Sequence, residues 1–142
     1  MLFLHKIFKM QKVEHIGIAV KELHHSIPLF EKLLDCVCYK TELVPGEHVR
    51  TAFFRKGETK IELLESIHEE SAIKKFIEKK GEGIHHIAFE VRDIEAEMKR
   101  LSDEGFILLN QLPKQGADNK LVCFLHPKNT NGVLIELCME KL

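Results

Sequence analysis

The chain has 142 residues, enough for one domain that buries roughly two-thirds of the surface its unfolded form exposes. Its 21 basic and 22 acidic side chains nearly cancel to a net charge of −1, so no long-range field selects nucleic acid or an anionic membrane. The four cysteines (Cys36, Cys38, Cys123, Cys138) form neither a Cys-x-x-Cys pair nor a secreted disulfide pattern, which suits a reducing, cytoplasmic setting.

The chain opens on MLFLHKIFK, an apolar stretch broken by His5 and Lys6 and lacking a small-residue cleavage site. Residues 1–12 read as an N-terminal extension and the start of the first strand. No segment approaches the ~20 apolar residues of a membrane helix, so a soluble protein is expected. Residues 13–20 alternate with period two and predict a strand, and LHHSIPLFEKLL (23–34) has helical apolar spacing. Pro28 is expected near that helix's first turn, where its missing N–H costs nothing. Strands follow at about 36–42, 49–56 and 59–65, separated by the turn sequences VPGE and KGET. A charged amphipathic connector helix is expected over about 69–80, closed by Gly81. Then come a strand at 84–92, a helix at 93–104 ending before Gly105, and strands near 106–109, 120–126 and 133–139.

The second series repeats the first. VEHIGIAVKEL (13–23) aligns with IHHIAFEVRDI (84–94) at an offset of 71, and KIELLE (60–65) answers LIELCM (134–139) after a three-residue insertion. The fold class expected is α+β, two repeated β-α-β-β-β modules forming one eight-stranded domain over 13–142. Module one covers about 13–66, the connector about 69–80 and module two about 84–139. Each module has a helix on one sheet face only, so pairing two of them encloses a cleft.

Strand parity assigns side chains to that cleft. Ile16, Ile18 and Val20 share the helix face, which leaves His15, Gly17 and Ala19 on the other. The same parity leaves His86, Ala88 and Glu90 facing the cleft, and it separates Glu62 from Ile61 and Leu63, and Glu136 from Ile135 and Leu137. A single histidine or glutamate on a strand is usually a solvated residue. Here the same types recur at matching places in two repeats, which makes His15, Glu62, His86 and Glu136 candidate ligands of one divalent metal. Two imidazoles and two carboxylates suit cobalt, zinc, manganese, nickel or ferrous iron and disfavour a thiolate site. His85 has the wrong parity and is assigned to the helix layer or to a supporting hydrogen bond. His24, His25 and His68 are read as surface residues, His48 and His126 as candidate rim residues, and the cysteines as small buried hydrophobes. Lys74, Lys75, Lys79 and Lys80 read as a solvated helix face.

HIGIAV, TKIELLE, EGIHHIAFEV and the closing HPKNTNGVLIELC resemble the methylmalonyl-CoA epimerase family of the vicinal oxygen chelate (glyoxalase-fold) superfamily, from about Val13 to Met139. The resemblance implies metal ligands at His15, Glu62, His86 and Glu136, with Glu136 also the candidate catalytic base. It implies a small-molecule acyl-CoA substrate, (2R)- and (2S)-methylmalonyl-CoA, interconverted through a metal-stabilised enolate. The expected cofactor is one divalent ion (cobalt, zinc, manganese or nickel), and the expected assembly is a homodimer with no nucleic-acid or membrane partner. A third-strand glutamate that some members carry as partner base falls on Thr51 here, so the resemblance identifies no second acid/base, neither Glu47 nor a water being assigned the role, and the family's glycine-rich stretch reads Gly116-Ala117-Asp118-Asn119. Two other readings share the fold: glyoxalase I, acting on a glutathione hemithioacetal with the same ligand set, and a bleomycin-resistance-type binding protein without metal. Ring-cleaving dioxygenases of the superfamily use two His and one Glu, so Glu62 counts against them.

Overall fold

The computed structural model describes residues 10–141; the stretch read as an extension lies, but for its last residues, outside them. The described residues divide into two compact units, one of residues 15–85 and one of residues 10–14 with 86–141.

In the first unit, β1 (Lys12–Ala19, its opening residues counted with the second unit) is followed by α1 (Leu23–Leu34) and β2 (Lys40–Val44). The strands β3 (Val49–Lys56) and β4 (Thr59–Ser66) and the connector helix α2 (Ala72–Lys80) complete it. The strands hydrogen-bond in the order β2-β3-β4-β1, with β1 and β4 parallel and the other pairs antiparallel. Leu23, Ile27, Phe30 and Leu34 recur at helical spacing on α1 and pack on Val20, Ala52, Phe54 and Leu63. Each fully buried aliphatic or aromatic side chain in such a layer stabilises the fold by about 1.5–3 kcal/mol. This contact fixes the sheet's faces: Ala52, Phe54, Ile61 and Leu63 lie under the helix, so Thr51, Phe53, Glu62 and Leu64 lie on the opposite one.

Two details depart from the sequence reading. Pro28 lies in the second turn of α1, not the first. Pro28 and His24 are both exposed there, which eases the loss of the helical hydrogen bond between them. The second strand begins at Lys40, not at 36. Asp35 closes α1 in the left-handed conformation (φ 52°), and the Glu31 carboxylate accepts from the Cys38 N–H at 2.9 Å, holding 36–38 off the ladder. The start of α1 is also made by tertiary structure. Glu22 provides no side-chain cap, and the Leu23 N–H donates instead to Glu65 Oε1 of β4 at 2.7 Å.

The second unit contains β5 (Gly83–Glu90, its opening residues counted with the first unit), α3 (Ile94–Asp103), β6 (Lys114–Gln115), β7 (Lys120–Leu125) and β8 (Ile135–Glu140), ordered β5-β8-β7-β6 with β5 and β8 parallel. Ile94, Met98 and Leu101 of α3 pack on Val91, Cys123, Leu125 and Leu137. Asp93 caps this helix locally, its side chain accepting from the Ala96 N–H at 3.1 Å. The strand expected at 106–109 is reduced to a single bridge, Leu108 to Leu125, and pairing resumes only at Lys114–Gln115. Between them the Asn110 side chain replaces the main chain in the ladder. It accepts from the Phe124 N–H at 3.1 Å and donates to the Val122 carbonyl at 3.3 Å and the Leu112 carbonyl at 2.7 Å.

The registers locate the three-residue insertion. Glu62 lies opposite Phe53 and Glu136 opposite Phe124, separations of 62 − 53 = 9 and 136 − 124 = 12. Phe53 and Phe124 thus keep the offset of 71, and the extra residues fall in the turn between β7 and β8, which contains a 3-10 turn at Pro127–Asn129.

Candidate metal and proton-transfer site

Each unit brings one histidine and one glutamate together. In the first, Gly17 of β1 is registered against Glu62 of β4, and His15 Nε2 lies 3.3 Å from Glu62 Oε1. In the second, Ala88 of β5 is registered against Glu136 of β8, and His86 Nε2 lies 3.3 Å from Glu136 Oε1. Parallel pairing with a small residue beside each glutamate leaves room for the imidazole two positions earlier to lean across. All four side chains are buried: His15 is 6% exposed, Glu62 3%, His86 4% and Glu136 5%. Hiding a carboxylate from water costs several kcal/mol unless a positive or hydrogen-bonding partner offsets it.

The donor set fits a first-row divalent ion. Metal–ligand bonds of about 2.1 Å at tetrahedral or octahedral angles place neighbouring donor atoms about 3.0–3.4 Å apart, and both pairs fall in that range. The cysteines fit less well. All four are free thiols, and burial pushes the Cys123 thiol up to about 11, so it is held protonated at neutral pH. Burial also raises Cys138, with the Glu136 charge adding to the effect.

The remaining histidines separate from these pairs. His85 packs edge-to-face on Phe76 of α2, with ring centroids 5.0 Å apart, so the helix layer it joins is the connector. Burial there, reinforced by the Lys80 charge, lowers its imidazole to about 4. His48 stacks on His68 at 4.6 Å, and His126 caps the 3-10 turn by accepting from the Lys128 N–H at 3.1 Å. His24 and His25 are exposed beside Glu22. Lys74 and Lys75 make surface ion pairs with Glu69 and Glu70 at 3.7 and 3.9 Å, contributing about 0–1 kcal/mol each. Thr51 is fully buried, and its hydroxyl donates to the Glu42 carbonyl at 3.3 Å. Glu47 lies in a 3-10 turn after β2, outside the ladder.

Sequence reasoning missed the aromatic floor. Phe53 and Phe124 lie directly opposite the two glutamates, so each shares their face. Phe124 meets the His86 ring edge-on at 5.7 Å and packs with Ala88, Val122 and Cys138. A lysine lies over each ring: Lys40 Nζ is 5.2 Å from the Phe53 centroid and Lys114 Nζ 5.6 Å from that of Phe124. The common offset of 71 between the phenylalanines was the available signal.

The chain is similar to known proteins along most of its length. The sequence profile of the Glyoxalase/Bleomycin resistance protein/Dioxygenase superfamily matches residues 14–124. An ethylmalonyl-CoA/methylmalonyl-CoA epimerase from Cereibacter sphaeroides is 40% identical over 128 residues, covering 89% of this chain and 96% of the relative. A solved structure of a hypothetical protein from Bacillus halodurans is 44% identical with a TM-score of 0.89, covering 92% of this chain and 95% of that one. A methylmalonyl-CoA epimerase solved in complex with methylmalonyl-CoA and ammonium is 33% identical with a TM-score of 0.89, covering 93% of this chain and 96% of that one. With a profile match across most of its length and a relative 40% identical over nearly its whole length, the chain belongs to the Glyoxalase/Bleomycin resistance protein/Dioxygenase superfamily.

Proposed function

We propose that this chain is an epimerase of methylmalonyl-CoA, interconverting the (2R) and (2S) thioesters by removing and returning the C2 proton. The observation that carries the reading is the twin buried pair, His15 with Glu62 and His86 with Glu136, each at 3.3 Å on equivalent strands. Relatives named as epimerases of the same substrate support it. The four side chains together hold one divalent cation, with cobalt, zinc, manganese and nickel all matching two imidazoles and two carboxylates. When bound, such a cation supplies Lewis acidity that stabilises negative charge on the thioester oxygen, worth several kcal/mol.

The chain's own residues do the rest. Glu136 is the candidate base for the C2 proton, a transfer that needs no covalent intermediate. Phe53 and Phe124 supply an apolar floor beside the carboxylates, which strengthens electrostatic interactions at the reacting atoms. Residues 13–142 act as one functional domain, supported by a family profile that runs across both units. Four free thiols suit a reducing cytoplasm, and among the described residues no helix is long and apolar enough to cross a membrane. A homodimer belongs to the same reading, and the exposed Leu29, Leu33 and Val37 are compatible with it; sedimentation measures it directly.

The test is turnover by cobalt-loaded protein of methylmalonyl-CoA, ethylmalonyl-CoA and the hemithioacetal of glutathione and methylglyoxal. Epimerisation of methylmalonyl-CoA, with deuterium entering C2 in heavy water, is expected. Turnover of the hemithioacetal alone would replace the reading with glyoxalase I. Protein that retains no cobalt after incubation with it and turns over none of the three substrates would leave a binding protein.

A further inference from the structure

Inversion of a substrate held in one orientation needs a proton carrier on each face of C2. One group takes the C2 proton from one face while the C–H electron pair moves into the enolate, and a second delivers a proton to the opposite face to form the new C–H bond. Glu136 can be only one of them. On the epimerase reading, we propose that Glu42 is the other, the proton carrier contributed by the first unit.

The ladder places it. Glu42 of β2 lies directly opposite Thr51 of β3, and Lys40 lies opposite Phe53, which is itself opposite Glu62. Residues directly opposite share a face, so Lys40, Glu42, Thr51, Phe53 and Glu62 all lie on the face away from α1. Two strand spacings and two residues separate the α-carbons of Glu42 and Glu62 by about 12 Å, enough for a small acyl group between their side chains. The intervening side chains are Thr51, Phe53 and Leu64, none of which has an acid–base group that titrates near neutral pH. Lys40 Nζ lies 3.3 Å from Glu42 Oε1 and also sits over the Phe53 ring, so the ammonium holds the carboxylate toward this face. The Glu42 side chain is 28% exposed, which lets it trade its proton with water between turnovers. Such a reset is required, because each inversion leaves one carrier protonated and the other not. The second unit lacks this group. Val122, 71 residues after Thr51, pairs with Lys114 where β3 pairs with Glu42, so the acid occurs in one copy only.

The experiment follows each stereoisomer separately in heavy water with metal-loaded wild-type, Glu42→Gln and Lys40→Met proteins. Inversion and C2 exchange are read alongside metal content and melting temperature. In Glu42→Gln, inversion should fall at least ~100-fold, within the range for loss of a general acid–base group. One isomer should still exchange its C2 proton with retention, while the other neither exchanges nor inverts, at wild-type metal content and melting temperature. Lys40→Met should slow both isomers modestly without this one-sided pattern. Glu42→Gln inversion within about threefold of wild type, or its loss together with metal or thermal stability, would overturn the role while leaving the epimerase reading standing. A one-sided pattern in Lys40→Met rather than Glu42→Gln would do the same. Wild-type protein that neither inverts nor exchanges either isomer would overturn the epimerase reading itself, and Glu42 with it.

Discussion

The two units solve the same problem with different outer parts. Both lay a parallel strand beside the last strand of the module, set a small residue against the glutamate and lean a histidine onto it at 3.3 Å. Away from that ladder they diverge. The first unit has a continuous five-residue β2 bearing Glu42, whereas the second has a bridge, the Asn110 side chain and a two-residue β6. The first starts its helix on a carboxylate 42 residues away, the second on its own Asp93. Within each unit, β1 with β4 and β5 with β8 carry the histidine and glutamate that meet at a fixed distance. The outer strands are free to differ, and there the copies acquire unlike chemistry.

The largest test of this division is to remove one imidazole at a time. His15→Ala and His86→Ala should each lower turnover roughly 10³-fold or more and reduce metal content, read by elemental analysis, with circular dichroism unchanged. One variant that kept full metal and activity would break the equivalence of the copies. His85→Leu should keep its metal, since its ring sits on Phe76; equal metal loss there would mean a one-residue slip in β5.

Metal removal comes next. If all four ligands grip one ion, adding cobalt at about 100 times its dissociation constant to chelator-stripped protein should stabilise it by about 2.7 kcal/mol, or roughly 8 °C in melting temperature. A shift left unchanged in either histidine variant would assign the ion to one unit alone.

Smaller effects separate the outer strands. Asn110→Ala strands the Phe124 N–H and should cost about 1–3 kcal/mol in urea unfolding, whereas Thr41→Ala, exposed on the intact β2, should stay within about 0.5 kcal/mol. Asp93→Ala should cost about 1 kcal/mol and Glu65→Gln about 0.3–1 kcal/mol, the first by losing a local cap and the second by losing a distant one. Comparable losses from both would show that a helix start is indifferent to whether its acceptor is local.

Much of the candidate site is legible in the amino-acid sequence. Alternation along HIGIA and HIAFE puts His15 and His86 opposite the helix face, and the IEL triplets do the same for Glu62 and Glu136. The face of an amphipathic strand is encoded within a few residues, so parity can be read from one segment at a time. The boundaries of α1 are legible for the same reason, because 3.6-residue spacing and the break at Asp35 are local.

Tertiary structure alone decided the rest. Whether Glu42 lies opposite Thr51 depends on how far β2 slides against β3, and no pattern within either strand encodes that sum. The turn at Pro45–Glu47 and the Glu31 carboxylate holding Cys38 set it together. The Asn110 side chain entering the ladder, and a proline carried in the second turn of an exposed helix face, are likewise resolved by where neighbouring groups and water stand. Local periodicity thus determined which residue types face the site, while non-local register decided which of them meet, because backbone pairing across strands depends on segments far apart in the chain.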